Sequence, residues 1–223
     1  MTTRVLYLIR HGRSDLESDD FSSTPRGHQY DPPLSAEGRD QAERLAQRLL
    51  QMDPPAAIVS SPLRRARETA LAYAEKAGID VGHDMDVAEA FIGDWENRTF
   101  EEIIGSDDRL LQSFRNHEAF WSHAPGAEDL DTFRERVTVG VERALSEHPQ
   151  GNVYVFCHGG VVNAYVAPLL RLEQEMFFLP ENTSISVIGI DGERRQVRFL
   201  NDVRHLTEPQ LFEDGPAGVE RRL

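Results

Sequence analysis

Val5-Leu6-Tyr7-Leu8-Ile9-Arg10-His11-Gly12 is the stretch on which the reading of the fold turns. A continuous apolar run of this length reads as a strand buried on both faces. It stops at a guanidinium and an imidazole, so the strand delivers polar groups at its C-terminal end. That is the end where open α/β sheets place their ligands.

The pattern recurs further along the chain. The apolar run at 57–59 leads into Ser60-Ser61-Pro62, and the run at 153–157 ends in His158-Gly159-Gly160 before an apolar helix at 161–170. Helical periodicity fills the intervals. Ser35 caps a helix reaching about Met52, with Ala42, Leu45, Ala46 and Leu49 on one face. A helix after Pro62 runs to Ala77, with Ser61 as cap and Pro62 at its first position. A long helix spans 128–148, its core face marked by Phe133, Val137, Val141 and Leu145. Residues 184–190 and 196–200 flank Asp191-Gly192, a hairpin signal that predicts an antiparallel pair closing the sheet. The segment 13–33, acidic and broken by Pro25, Pro32 and Pro33, reads as a long loop bordering the site. Phe114, Phe120 and Trp121 read as packing within a helical excursion at about 97–125. The expected organisation is one catalytic domain over 1–207 and a C-terminal tail, 208–223, without periodicity.

Composition narrows the function. The 223 residues carry a formal net charge of -14, which repels nucleic-acid backbones and anionic lipid at long range. Any anionic substrate must be drawn in by a local basic pocket. A single cysteine, Cys157, cannot pair within the chain, and the 5–9 run is too short for a signal segment or a membrane span. The expectation is a cytoplasmic protein without a nucleic-acid or membrane partner.

Three strands thus end in polar residues at one edge of the sheet: Arg10-His11, the Arg64-Arg65 region, and His158. Arginines in the first turns of a helix oppose its dipole at about 0.3–1 kcal/mol each, which points to an anion nearby. A solvated face accounts better for Arg64 and Arg67 than for all three. Two imidazoles and two guanidiniums on one rim suit a tetrahedral dianion, since arginine donates in pairs to phosphate oxygens and a neutral imidazole can attack phosphorus.

These motifs resemble, in order, those of the histidine phosphatase (phosphoglycerate-mutase-like) superfamily. Leu8-Ile9-Arg10-His11-Gly12-Arg13-Ser14 is similar to its arginine-histidine-glycine signature, and residues 60–70 resemble the motif carrying a phosphate-binding arginine, here Arg65. Glu89 to Glu96 resembles the acid motif, and Val155 to Gly160 the last histidine motif. The resemblance covers roughly residues 4–206, with late segments at Asn182-Thr183-Ser184 and Asn201 to Leu206.

It implies a three-layer α/β/α sandwich with a mostly parallel central sheet and an antiparallel edge. It also implies a metal-independent histidine acid-type phosphatase that needs no cofactor and acts on a small phosphorylated substrate. In that reading Arg10, Arg65 and His158 hold the phosphoryl group, His11 attacks it and Glu89 protonates the departing oxygen. His158 counts with the catalytic set, and Ser14, Glu17, His28 and Gly159 are further possible substrate contacts.

Mutase-type members usually carry asparagine where this chain has Glu17, which favours a phosphatase over a phosphoglycerate-type mutase. A catalytically inactive phospho-ligand binding module is the rival of a different class, and the retention of all five polar positions counts against it. A metal hydrolase and a dinucleotide-binding domain lack their ligand and glycine spacings.

Overall fold

The opening apolar run forms β1 (Arg4–Arg10). The computed structural model describes residues 4–207 apart from 97, 100, 101, 104, 106 and 175, so the expected tail at 208–223 lies outside the described residues. After β1 come a hairpin of β2 (Phe21–Thr24) and β3 (Gly27–Tyr30), then α1 (Ala36–Leu49), β4 (Ala57–Ser60), α2 (Arg64–Ala77) and β5 (Val81–His83). The second half adds α3 (Asp108–Arg115), α4 (Leu130–Glu147), β6 (Val153–Cys157), α5 (Gly159–Leu170), β7 (Ile185–Asp191) and β8 (Arg194–Asp202).

Among the described residues the main sheet has six strands in the order β5-β4-β6-β1-β7-β8. β1, β6, β4 and β5 are parallel, and β7 and β8 add the antiparallel edge. The pleat sorts side chains between the two faces. Ile9, Ile58, Tyr154 and Phe156 pack with Leu45, Leu49, Ala70 and Tyr73 from α1 and α2. Leu6, Leu8, Val153 and Val155 pack with Phe133, Val137 and Val141 of α4 and Val161, Val162 and Tyr165 of α5. This is the expected three-layer sandwich.

Register brings the polar strand ends together. Arg10 lies opposite Cys157 across β1 and β6, and Ser60 opposite Phe156 across β4 and β6. The next residues along the chain, His11, His158 and Ser61, therefore leave three adjacent strands at one level. His11 N donates to Cys157 O (3.0 Å) and Ser61 N to Phe156 O (2.9 Å), extending the ladder to the rim.

Local chemistry sets the element ends. The Ser35 side chain accepts from Gly38 N at the start of α1, and Asp129 from Thr132 N at the start of α4. α2 begins later than expected, at Arg64, with Leu63 as its cap and no side-chain cap bond. Ser61 takes the Leu63 N–H instead (3.2 Å), and Pro62 precedes the helix. The 13–33 segment is also more ordered than a plain loop, since β2 and β3 pair antiparallel within it. In the excursion, Phe114, Phe120 and Trp121 form a chain of edge-on aromatic contacts that reaches Phe133 of α4, so these rings pack as expected.

Candidate active site

His11 is buried, 6% exposed, with Nδ1 2.7 Å from its neighbour's carbonyl, Gly12 O. A carbonyl only accepts, so Nδ1 carries the proton and Nε2 holds a free lone pair. Burial, with Arg65 and Arg10 adding to it, holds the ring well below the usual histidine range. His11 is therefore a neutral base with its reactive nitrogen unprotonated.

The backbone around it is tied down from three sides. Gly12 N donates to Thr69 Oγ1 (3.0 Å), and that hydroxyl donates to Arg65 O (2.7 Å), linking the β1 end to α2. Asn182 Nδ2 and Thr183 N both donate to His11 O, each at 3.1 Å. A side chain on Gly12 would sit 2.6 Å from Gly38 O, so the close approach of α1 requires glycine there.

His158 is fully buried, its ring centroid 5.1 Å from that of His11 at 60°. Its Nε2 lies 2.8 Å from Ser61 Oγ, while Nδ1 has no partner among protein atoms. Burial first, then Arg65, His11 and Arg10, keeps this ring neutral as well. If the Ser61 hydroxyl donates to Nε2, the ring proton resides on Nδ1, the atom left free.

Arg10 and Arg65 complete the cationic wall. The Arg10 Nη1 group donates to Pro180 O and its buried Nε has no protein partner. Arg65, 9% exposed, donates from Nη1 to Tyr30 O (3.1 Å). Burial lowers the pKa of both, and the nearby Glu89 carboxylate is the largest influence opposing it. Glu89 Oε2 accepts from Gly160 N (3.1 Å) at the start of α5, and Oε1 from Ala90 N (3.1 Å).

Arg10, His11, Arg65, Glu89 and His158 thus lie near one another. The further candidates are more dispersed. Ser14 bridges to Leu34 at the base of the hairpin segment. Glu17 is solvent-exposed, its N–H bonded to Asp15. His28 is exposed on β3 opposite Ser23. Gly159 opens α5, and a Cβ there would lie 3.7 Å from Arg10 Nε.

Several supporting residues escape a reading of the sequence. Ser61 fits the pattern of a helix cap and instead contacts His158. Asn182 falls in a late family-like segment, and its bond to His11 O depends on a chain return that the sequence does not spell out. Glu96 accepts from Tyr30 N (2.8 Å) and Ile92 N (2.9 Å), bracing the segment that holds Arg65. Burial raises the Glu96 pKa, offset by those two N–H donors. Cys157 lies fully buried in β6 and burial pushes its thiol up, so it behaves as a small apolar residue. Among the described residues no group of three His, Cys, Asp or Glu is arranged to hold a metal ion, and no helix is long and apolar enough to cross a membrane.

The family model described as "Histidine phosphatase superfamily (branch 1)" matches residues 6–203. The chain is 30% identical over 223 residues to a glucosyl-3-phosphoglycerate phosphatase of Mycolicibacterium vanbaalenii, covering 96% of this chain and 92% of the relative. It is 28% identical over 218 residues to phosphoglycerate mutase-like protein 4 of Arabidopsis thaliana, covering 96% and 91%. Among solved structures, YhfR of Bacillus stearothermophilus superposes with a TM-score of 0.78 at 27% identity, covering 91% of this chain and 98% of that one.

Proposed function

The chain belongs to the histidine phosphatase superfamily, and we propose that it is a phosphomonoester hydrolase working through a phosphohistidine at His11, with the following division of labour around it. The carrying observation is a pair of buried nitrogens without protein partners, His158 Nδ1 and Arg10 Nε, on residues that adjoin a neutral His11. Buried polar groups are ordinarily satisfied, and a phosphoryl group seated at His11 Nε2 offers acceptor oxygens to both.

In this reading Arg10, Arg65 and His158 bind the three non-bridging oxygens. His11 Nε2 attacks phosphorus in line, the bond to the ester oxygen breaks, and Glu89 delivers its proton to that oxygen. Water then enters, Glu89 takes its proton, the new P–O bond forms, the P–N bond breaks, and phosphate leaves with His11 restored. The N-terminus of α5 begins beside this site, where Gly160 N donates to Glu89 Oε2, and its dipole adds to the stabilisation of charge.

This is a histidine acid-type phosphatase mechanism with no metal step, and hydrolysis is favoured over mutase chemistry. Glu17, at the position where mutase-type relatives usually carry asparagine, is exposed to solvent. The substrate class is a small phosphomonoester with a polar alcohol portion, supported by the phosphatase named among the relatives. A cytoplasmic location fits the lone, buried Cys157.

The test is phosphate release from phenyl phosphate and a panel of sugar and glycerate phosphates, with chelator present, for wild type and His11→Ala. Chelator-resistant release abolished by the substitution supports the proposal. Activity that survives His11→Ala, or isomerisation without release, refutes it.

A further inference from the structure

The segment carrying Glu89 is irregular, so its carbonyls have no sheet ladder to join, and buried carbonyls need donors. Side chains from two other elements supply them. Arg136 of α4, 8% exposed, donates from Nη1 to Asp86 O (2.9 Å) and Ala88 O (2.7 Å), and from Nη2 to Glu89 O (3.0 Å). Gln29 of β3, 2% exposed, donates from Nε2 to Glu89 O (3.0 Å) and Ala90 O (3.3 Å). The Glu89 carbonyl therefore receives one donor from each side.

Arg136 is itself locked. Glu128, equally buried, accepts from its Nε (2.6 Å) and Nη2 (2.7 Å) in a bidentate pair. Glu128 also exchanges bonds with Phe91, accepting from Phe91 N (3.3 Å) and donating from its own N–H to Phe91 O (2.9 Å). Arg26, at the tip of the hairpin, approaches Glu128 Oε1 at 3.4 Å. For stability alone, a well-packed apolar pair often serves as well as a buried ion pair. What apolar residues cannot do is fix four carbonyls of an irregular strip in space.

We propose that Arg136, held by Glu128 and assisted by Gln29, is the positioning device for Glu89, aiming its carboxyl at the leaving-group oxygen. The inference rests on the reading of Glu89 as proton donor. Misplacing a proton donor harms poor leaving groups and spares those that depart unprotonated. Loss of fold harms both alike.

The experiment compares kcat/KM, which stops at departure of the alcohol, for phenyl phosphate and 2,4-dinitrophenyl phosphate. Arg136→Lys keeps the charge beside Glu128 and loses the fork. It should lower kcat/KM for phenyl phosphate about 10- to 100-fold and for the dinitrophenyl ester less than about 3-fold. In a Glu89→Gln background it should add no further selective loss. Gln29→Leu leaves the ion pair intact and should show the same selectivity at about 3- to 10-fold, and it decides the matter if Arg136→Lys does not fold. Equal losses on both esters overturn the proposal and leave Arg136 a structural residue. If Glu89→Gln alone shows no leaving-group selectivity, it is the assignment of the acid that falls, and the positioning role falls with it.

Discussion

Gly160→Ala tests the proposed proton donor without touching an ionisable group. A Cβ at Gly160 would lie 2.3 Å from Glu89 Oε1 and 3.1 Å from its carboxyl carbon, with Phe133 Cζ at 3.3 Å behind. Ordinary contact begins near 3.5 Å, so the carboxylate must retreat by about 1 Å, and its bond from Gly160 N (3.1 Å) is lost or bent. The obstacle is the far end of a flexible side chain, so the fold bears the change cheaply. A displacement of about 1 Å at a catalytic group can cost about 100-fold. The expected result is therefore kcat/KM for phenyl phosphate down by about 100-fold, 2,4-dinitrophenyl phosphate nearly unaffected, and a folded variant whose melting temperature stays within a few degrees of wild type. Phenyl phosphate turnover within about 3-fold of wild type in a folded variant would refute the reasoning, because the acid would then not depend on where this carboxylate sits.

Two further outcomes concern the site's supports and its pH dependence. Thr69→Val keeps the shape of a fully buried side chain but removes the acceptor for Gly12 N and the donor to Arg65 O. An unsatisfied buried N–H costs about 1–3 kcal/mol, so urea unfolding should show a loss of about 2 kcal/mol that Thr69→Ser restores; equal losses in the two variants would count against it. His205, buried against Thr183 with Nε2 2.9 Å from Oγ1, is lowered to about 4 by burial and then by Arg48. The unfolded chain titrates near 6.5 and so binds the extra proton between these values. The His205 contribution is complete above about pH 6.5 and is lost as pH falls toward 4, at up to about 1.4 kcal/mol per pH unit. His11 and His158 shift in the same direction, so stability should fall steeply on acidification. His205→Gln should flatten the urea-derived slope by about one proton, and an unchanged slope would remove His205 from the account.

Much of this site is legible because a strand's end is marked in sequence by an abrupt change from apolar to polar, and three such changes fall on adjacent strands. The supports are hidden for physical reasons. Gln29 belongs to a hairpin whose strands, Phe21–Thr24 and Gly27–Tyr30, are short and mostly polar. They carry no alternation to read, and the flanking prolines suggest a loop. Arg136 follows Phe133 by three residues and precedes Val137, so it lies on the core face of its helix. A charge at that phase is a signal in itself, but periodicity read only from apolar residues passes over it. Ser61 satisfies the residue pattern of a cap, and only the register of β4 against β6 shows that its hydroxyl meets His158. Arg64 reads as part of the anion site, and the solvated alternative suits it better, since its side chain is spent on Glu68 and Asp20.

On the proposed division of labour, the same contrast lets a chain of net charge -14 hold a phosphate site. The guanidiniums around the rim are neutralised by carboxylates: Arg13 pairs with Glu37, and Arg64 with Asp20 and Glu68. Arg10 and Arg65 are anchored differently, by the backbone carbonyls of Pro180 and Tyr30. A carbonyl dipole fixes a guanidinium's orientation without pairing it to a carboxylate, although Glu89 lies near both. Burial then makes that charge costly, which the lowered pKa of both arginines reflects. In the proposed site an arriving dianion relieves the cost that folding imposed. Long-range repulsion from the acidic surface thus opposes every anion, and only one able to reach two carbonyl-held arginines and two neutral imidazoles recovers enough to stay.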